Sequence, residues 1–143
     1  MPAGHHSPTV VLVEDDEENR EILAAILATE DFTVLGQFGM AQDGVVGVRE
    51  LRPDVVLMDL RLPDMSGIEA IRQIVHSTWP TQVIVLTAFD GGLSTRKAHA
   101  VGAFTYLIKG SPISVISGAI LRASALKRAL EARARNRSTG GIG

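Results

Sequence analysis

The sequence contains no cysteine, which excludes disulfides, thiol nucleophiles and zinc–thiolate centres at once and suits a reducing compartment. It has no apolar run near the roughly 20 residues that a membrane-spanning helix needs. The opening MPAGHHSPT lacks the apolar segment of a secretory signal, so the expected location is cytoplasmic, with no membrane contact. A glycine-rich phosphate loop is missing too. Where GxGxxG or GxxxxGK[ST] would follow the first apolar run of a nucleotide-binding domain, the chain reads VEDDEEN. Such a loop repels phosphate unless a cation intervenes.

Strong net charge is also absent: fourteen basic against sixteen acidic residues give −2, with no general pull toward nucleic acid. The distribution is uneven, however. Positions 14 to 18 are five consecutive acids, whereas the tail from Arg122 onward holds six of the fourteen basic residues and one acid, Glu131. A basic run of this kind is commonly a solvated helix face or a linker. No aromatic or helix-turn-helix pattern accompanies it, so direct nucleic-acid binding by this chain is not expected.

What is present is enough for one domain: 143 residues, 45% hydrophobic. Short apolar runs recur as TVVLV (9–13), FTVLGQF (32–38), DVVLMD (54–59), QVIVLTA (82–88) and FTYLIK (104–109). Several lack the polar alternation of a half-wet strand, which predicts a sheet covered on both faces. Helical patterns lie between them. Ile22, Leu23, Ile26 and Leu27 predict one apolar stripe, and Ile68, Ile71, Ile74 and Val75 another. The segments Ala41–Leu51 and Leu93–Val101 are weaker, the first because Gly44 and Gly47 lower helix propensity, the second because Gly91 and Gly92 blur its start. Five strands alternating with five helices predict an α/β domain with a parallel sheet.

The last helix is predicted from near Pro112 to about Asn136, with Ile113, Ile116, Ile120, Ala123 and Leu130 on its apolar side and Lys127 interrupting that series. A helix of about 24 residues is about 36 Å long, more than a small domain covers, so its basic end is expected to project. The closing STGGIG reads as a flexible linker.

In a parallel sheet all strand C-termini open onto one edge, where ligands bind. The residues there form a set: Glu14 and Asp15 after strand 1, Asp59 after strand 3, Thr87 after strand 4 and Lys109 after strand 5. Taken singly, each is an ordinary cap, turn or solvated charge, and Asp16, Glu17 and Glu18 are expected to serve the first helix's N-terminus. The combination is different. Three clustered carboxylates repel one another unless a cation sits among them, and oxygen donors few in number favour Mg²⁺, which also takes phosphate oxygens. An ammonium beside them supplies a point charge for the same phosphate.

With these residues in place, the sequence resembles the CheY-like receiver domain of two-component response regulators over residues 8–125, leaving 126–143 as a basic extension of the last helix and a tail. The family's acidic pair, its Asp followed by LPDMSG, its Thr-Ala and its Lys stand here as Glu14 and Asp15, Asp59 with LRLPDMSG, Thr87 and Ala88, and Lys109 at the end of YLIK. The resemblance implies a flavodoxin-like (βα)5 doubly wound sheet in the order 2-1-3-4-5 with an extended C-terminal helix, and a signalling domain rather than an enzyme.

It implies Asp59 as phosphoacceptor, taking a phosphoryl group from a sensor histidine kinase or phosphotransfer protein. Asp15, Asp59 and the Arg61 backbone carbonyl would ligate Mg²⁺, with Glu14 acting through water; Thr87 and Lys109 would hold phosphoryl oxygens. Glu14 and Asp15 are preferred to Asp15 and Asp16 because Asp15 lies five residues before Arg20, a spacing similar to the family's. Thr87 and Tyr106 would form the switch, and the surface of helix 4, strand 5 and helix 5 would respond, often as a homodimer face. The chain is either a stand-alone regulator or the receiver of a larger one with a fused output domain, and the projecting helix favours the second. One departure stands out: where many receivers have Pro directly after the Lys, this chain has Gly110, Ser111 and Pro112.

Two other readings compete. Haloacid-dehalogenase-like phosphatases place a general-acid Asp two residues after the nucleophile, and that position is Arg61. A degenerate receiver, a protein-interaction module that works without phosphorylation, is the alternative; against it, all five expected positions carry competent residues.

Overall fold

The structure is a computed structural model that describes residues 7–88, 90 and 92–140, without the side chains of 138–140. Strands β1 (Thr9–Val13), β2 (Thr33–Phe38), β3 (Val55–Met58), β4 (Gln82–Thr87) and β5 (Thr105–Ile108) alternate with helices α1 (Glu17–Thr29), α2 (Ala41–Leu51), α3 (Gly67–Thr78), α4 (Leu93–Ala100) and α5 (Ile113–Gly140). All strand pairs are parallel, and the sheet runs β2-β1-β3-β4-β5, the expected order.

The apolar strands have no polar face because both faces are covered. Val11, Val13, Val56, Met58, Val83 and Val85 pack with Ala41, Val45, Val48, Ala70, Ile71, Ile74 and Ala98 from α2, α3 and α4. Their alternating neighbours Val10, Leu12, Val55, Leu57 and Ile84 pack with Leu27 of α1 and Ile116, Ala119, Ile120 and Ala123 of α5. Each fully buried Val, Leu or Ile contributes about 1.5–3 kcal/mol, and β3, buried at every position, and β1, with four buried residues, form the centre of the sheet.

Three helices depart from expectation. In α1 only Leu27 is buried; Ile22 is 52% and Ile26 38% exposed. They face a groove of about 370 Å³ between α1 and α5 instead of the sheet, because Leu27 with Leu23 already fills the helix's contact there. In α2 the glycines that weaken the sequence pattern permit close approach. A Cβ at Gly44 would lie 2.8 Å from Val13 Cγ2, and one at Gly47 2.2 Å from Phe38 Cζ, so packing overrides propensity. The last helix continues through Ser138, Thr139 and Gly140, residues expected in a linker; 141–143 of that segment lie outside the described residues.

The turn into α5 also has its reason. Gly110 has φ +93°, a conformation closed to Pro, whose ring fixes φ near −65°. Pro112 sits instead just before the first helical residue. Lys127, which interrupts the apolar series, turns inward to Asp54 at 3.0 Å rather than outward to solvent. α4 begins after Gly92 at φ +85° and buries only Ala98; Gly91 lies outside the described residues. Among the described residues no helix is long and apolar enough to cross a membrane.

Candidate functional site

Because β1, β3, β4 and β5 are adjacent and parallel, the residues just past their C-termini meet on one edge. The backbone fixes each one. The Asp59 N–H donates to the Val13 carbonyl at 3.0 Å, the Lys109 N–H to the Thr87 carbonyl at 2.8 Å, and the Glu14 N–H to the Phe38 carbonyl at 2.9 Å. The Glu14 carbonyl in turn accepts from the Arg20 guanidinium at 2.7 Å, so the backbone is held on both sides of the Glu14 Cα. Arg20, five residues after Asp15, thus bonds the backbone of Glu14.

Glu14, Asp15 and Asp59 each present an oxygen within 4.8 Å of the other two. Glu14 and Asp59 are buried and Asp15 is exposed. Asp16 faces the other way: it is the N-cap of α1 and accepts from the Asn19 N–H at 3.0 Å, while Glu17 and Glu18 occupy the first turn. Asp59 is the focus of three donors. Lys109 Nζ lies 2.6 Å from Oδ2, the Thr87 hydroxyl 2.6 Å from Oδ1, and the Arg61 N–H 3.1 Å from Oδ1. Lys109 also reaches Glu14 at 3.0 Å.

Burial pushes the Asp59 carboxyl up, but hydrogen bonds from Lys109, Thr87 and the Arg61 amide outweigh it and hold the group below the ordinary carboxylate value. Glu14 goes the other way, raised by burial and by its hydrogen bond with Asp59 despite Lys109. Burial draws the Lys109 ammonium down, yet its bonds to Asp59 and Glu14 leave it above its usual value. One ammonium against three carboxylates leaves two negative charges uncompensated. With only oxygen donors, and one carboxylate open to solvent, the set fits a hard divalent cation that keeps several waters, as Mg²⁺ does.

Tyr106 is not part of this cluster. It packs, half-buried, against the core on the α2–α3–α4 side, with its hydroxyl 3.4 Å from Asp90 Oδ1. Two further carboxylates escaped the sequence reading. Asp64, inside LPDMSG, accepts the N–H groups of Ala41 at 2.7 Å and Gln42 at 2.9 Å from α2. Asp54, at the opposite end of β3 from Asp59, takes the Thr9 N–H at 2.9 Å and Lys127 Nζ at 3.0 Å. The inward-facing Lys127 was the one sequence signal for the second; for the first, only the acid in a turn beside a helix start could have served.

Comparison with known proteins adds to this geometry. The family model described as response regulator receiver domain matches residues 10–121. The transcriptional regulatory protein LiaR of Bacillus subtilis (strain 168) is 41% identical over 128 residues, covering 87% of this chain and 59% of that protein. The response regulator protein VraR of Staphylococcus epidermidis is 33% identical over 112 residues, covering 78% and 54%. The chain therefore spans little more than half the length of these curated relatives. Among solved structures, a two-component response regulator of the LuxR family from an Aurantimonas species superposes with a TM-score of 0.80 at 28% identity, over 85% of this chain and 88% of that one.

Proposed function

Given that the chain belongs to the response regulator receiver domain family, a family of signalling domains, we propose that Asp59 is its phosphoacceptor. A carboxylate oxygen of Asp59 forms a bond to the phosphorus of a phosphohistidine. The P–N bond breaks, the imidazole nitrogen keeps the electron pair, and an acyl phosphate remains on Asp59. The donor is a sensor histidine kinase or a phosphotransfer protein.

The supporting observation is the set of donors on Asp59: Lys109 on Oδ2, and Thr87 and the Arg61 amide on Oδ1. They are already gathered around the group that would carry the phosphoryl, and Lys109 and Thr87 have only to shift from carboxylate to phosphoryl oxygens. Asp15, Asp59 and the Arg61 carbonyl would hold Mg²⁺ directly and Glu14 through water. Bound there, the ion would offset the charge between attacking carboxylate and incoming phosphoryl group.

On phosphorylation Thr87 follows the phosphoryl oxygen, and Tyr106 leaves Asp90 and swings into the space behind it. A switch from 1:99 to 99:1 requires about 5.5 kcal/mol of preference for the active state. The surface that responds is α4, β5 and α5, the expected homodimer face. Residues 8–125 form the receiver and 126–143 lead toward a fused output domain, in keeping with relatives about one and a half times as long.

Acetyl phosphate with Mg²⁺ is expected to add one phosphoryl group to the wild type by intact mass, and none to Asp59→Asn. A wild type that stays unlabelled, while a known receiver in the same tube is labelled, would sink the phosphoacceptor reading and leave the phosphorylation-independent module.

A further inference from the structure

The loop after Asp59 is closed on itself and then pinned at its tip. Its base is joined by a bridge between Arg61 and Ser66 and by the Gly67 N–H on the Leu60 carbonyl at 3.2 Å. Gly67 is needed there, since a Cβ would sit 2.5 Å from the Leu60 Cα. At the tip, both carboxylate oxygens of Asp64 are used, Oδ1 by the Ala41 N–H and Oδ2 by the Gln42 N–H.

Those two amides open α2, a helix whose own N-cap residue, Met40, makes no side-chain capping bond. The first amides of a helix have no intrahelical partner and carry the positive end of its dipole, so a carboxylate is the group they favour. The bonds hold Asp64 below the ordinary carboxylate value, the Gln42 amide foremost. α2 is thus capped from another element, and the cap residue lies three positions after Arg61, whose amide bonds Asp59.

Resting on the site reading above, we propose that Asp64 is a positioning residue for the phosphoryl and Mg²⁺ site. By clamping the β3–α3 loop to α2 it fixes the backbone on both sides of Arg61, whose N–H serves Asp59 and whose carbonyl would serve the metal. The clamp touches neither phosphoryl group nor metal. It acts through the orientation of the two peptide groups that flank the Arg61 Cα, as groups behind metal ligands do.

The test separates clamping from helix capping. Asp64→Ala removes both. Asp64→Ala combined with Met40→Ser returns a cap to α2, because Met40 has the extended backbone that an N-cap serine uses, but leaves the loop unpinned. Mg²⁺ affinity by calorimetry, thermal stability, and hydrogen exchange at residues 61–66 without Mg²⁺ are measured for all three proteins. The expected result is Mg²⁺ affinity lower by about tenfold in both variants. Stability is recovered in the double variant, and loop exchange is faster than wild type in both. Unchanged affinity in Asp64→Ala, or affinity that returns with stability in the double variant, would overturn the proposal alone. A wild type that binds no Mg²⁺ would bring down the site reading and this proposal with it.

Discussion

Lys109 bridges two carboxylates that do not otherwise tolerate each other: its Nζ is 2.6 Å from Asp59 and 3.0 Å from Glu14. Lys109→Met should therefore release burial and mutual repulsion, and both carboxyls should titrate higher, which carboxyl-carbon NMR can follow. The stability difference between wild type and variant has a defined pH window. Asp59, depressed in the folded state, contributes above its unfolded value near 3.8 and loses that contribution as pH falls through its folded value. Lys109, raised, contributes fully below 10.5 and loses its share as pH rises through its folded value. Denaturation curves of the two proteins should differ most between those limits and converge on either side.

Lys127→Met should cost about 2–3 kcal/mol, below the usual penalty for breaking a buried pair because Asp54 keeps the Thr9 amide. The Asp54 side chain is 5% exposed and that of Lys127 13%, so screening by salt is weak. Lys127 is raised by Asp54 and then Glu131, against burial that lowers it. The gain is complete below 10.5 and should vanish as pH climbs through the folded value. Urea titrations at neutral and alkaline pH would check both points.

Two glycines should respond differently to alanine. At Gly67 the added carbon meets Leu60 backbone at 2.5 Å, which cannot give, so about 3 kcal/mol and some labelling of Asp59 should be lost. At Gly110 no atom of the described residues lies within 4 Å of an added Cβ and the positive φ opposes a side chain, about 1–2 kcal/mol. Gly110→Pro should be much worse than Gly110→Ala, since φ +93° is closed to it. Thermal melts rank the three variants.

Tyr106 is the only tyrosine, so its phenol can be titrated by absorbance without ambiguity. Burial, and then the charge of Asp90, raise it above 10.0. Asp90→Asn should bring it back toward that value while leaving the burial contribution. No downward movement would mean that the Asp90 contact is not kept in solution.

The fold was legible because it rests on period and burial. The apolar runs of β1, β3 and β4 can only be strands covered on both sides, and the residues after them are then forced onto one edge. The grouping of Glu14, Asp15 and Asp59 with Thr87 and Lys109 followed from that topology. Ile22 and Ile26 misled because a helical stripe shows which side is apolar, not how much of it a sheet can cover. Gly44 and Gly47 misled because propensity says nothing of a neighbour 3 Å away. Asp64 and Asp54 were hidden because their partners, α2 amides and Lys127, are distant in the chain. A carboxylate's distant partner leaves no periodic trace.

The four residues of β3 carry an acid at each end, Asp54 before and Asp59 after, and each is gripped by a lysine from the same stretch of chain, Lys127 and Lys109. The strand is therefore suspended at two points, roughly 16 Å apart at the ordinary rise of a strand. A pull on Asp59 along the strand axis is opposed at Asp54, so β3 serves as a fixed datum. Any motion set off at its upper end has to be taken up by parts that are loosely held, above all α4, whose one buried residue is Ala98.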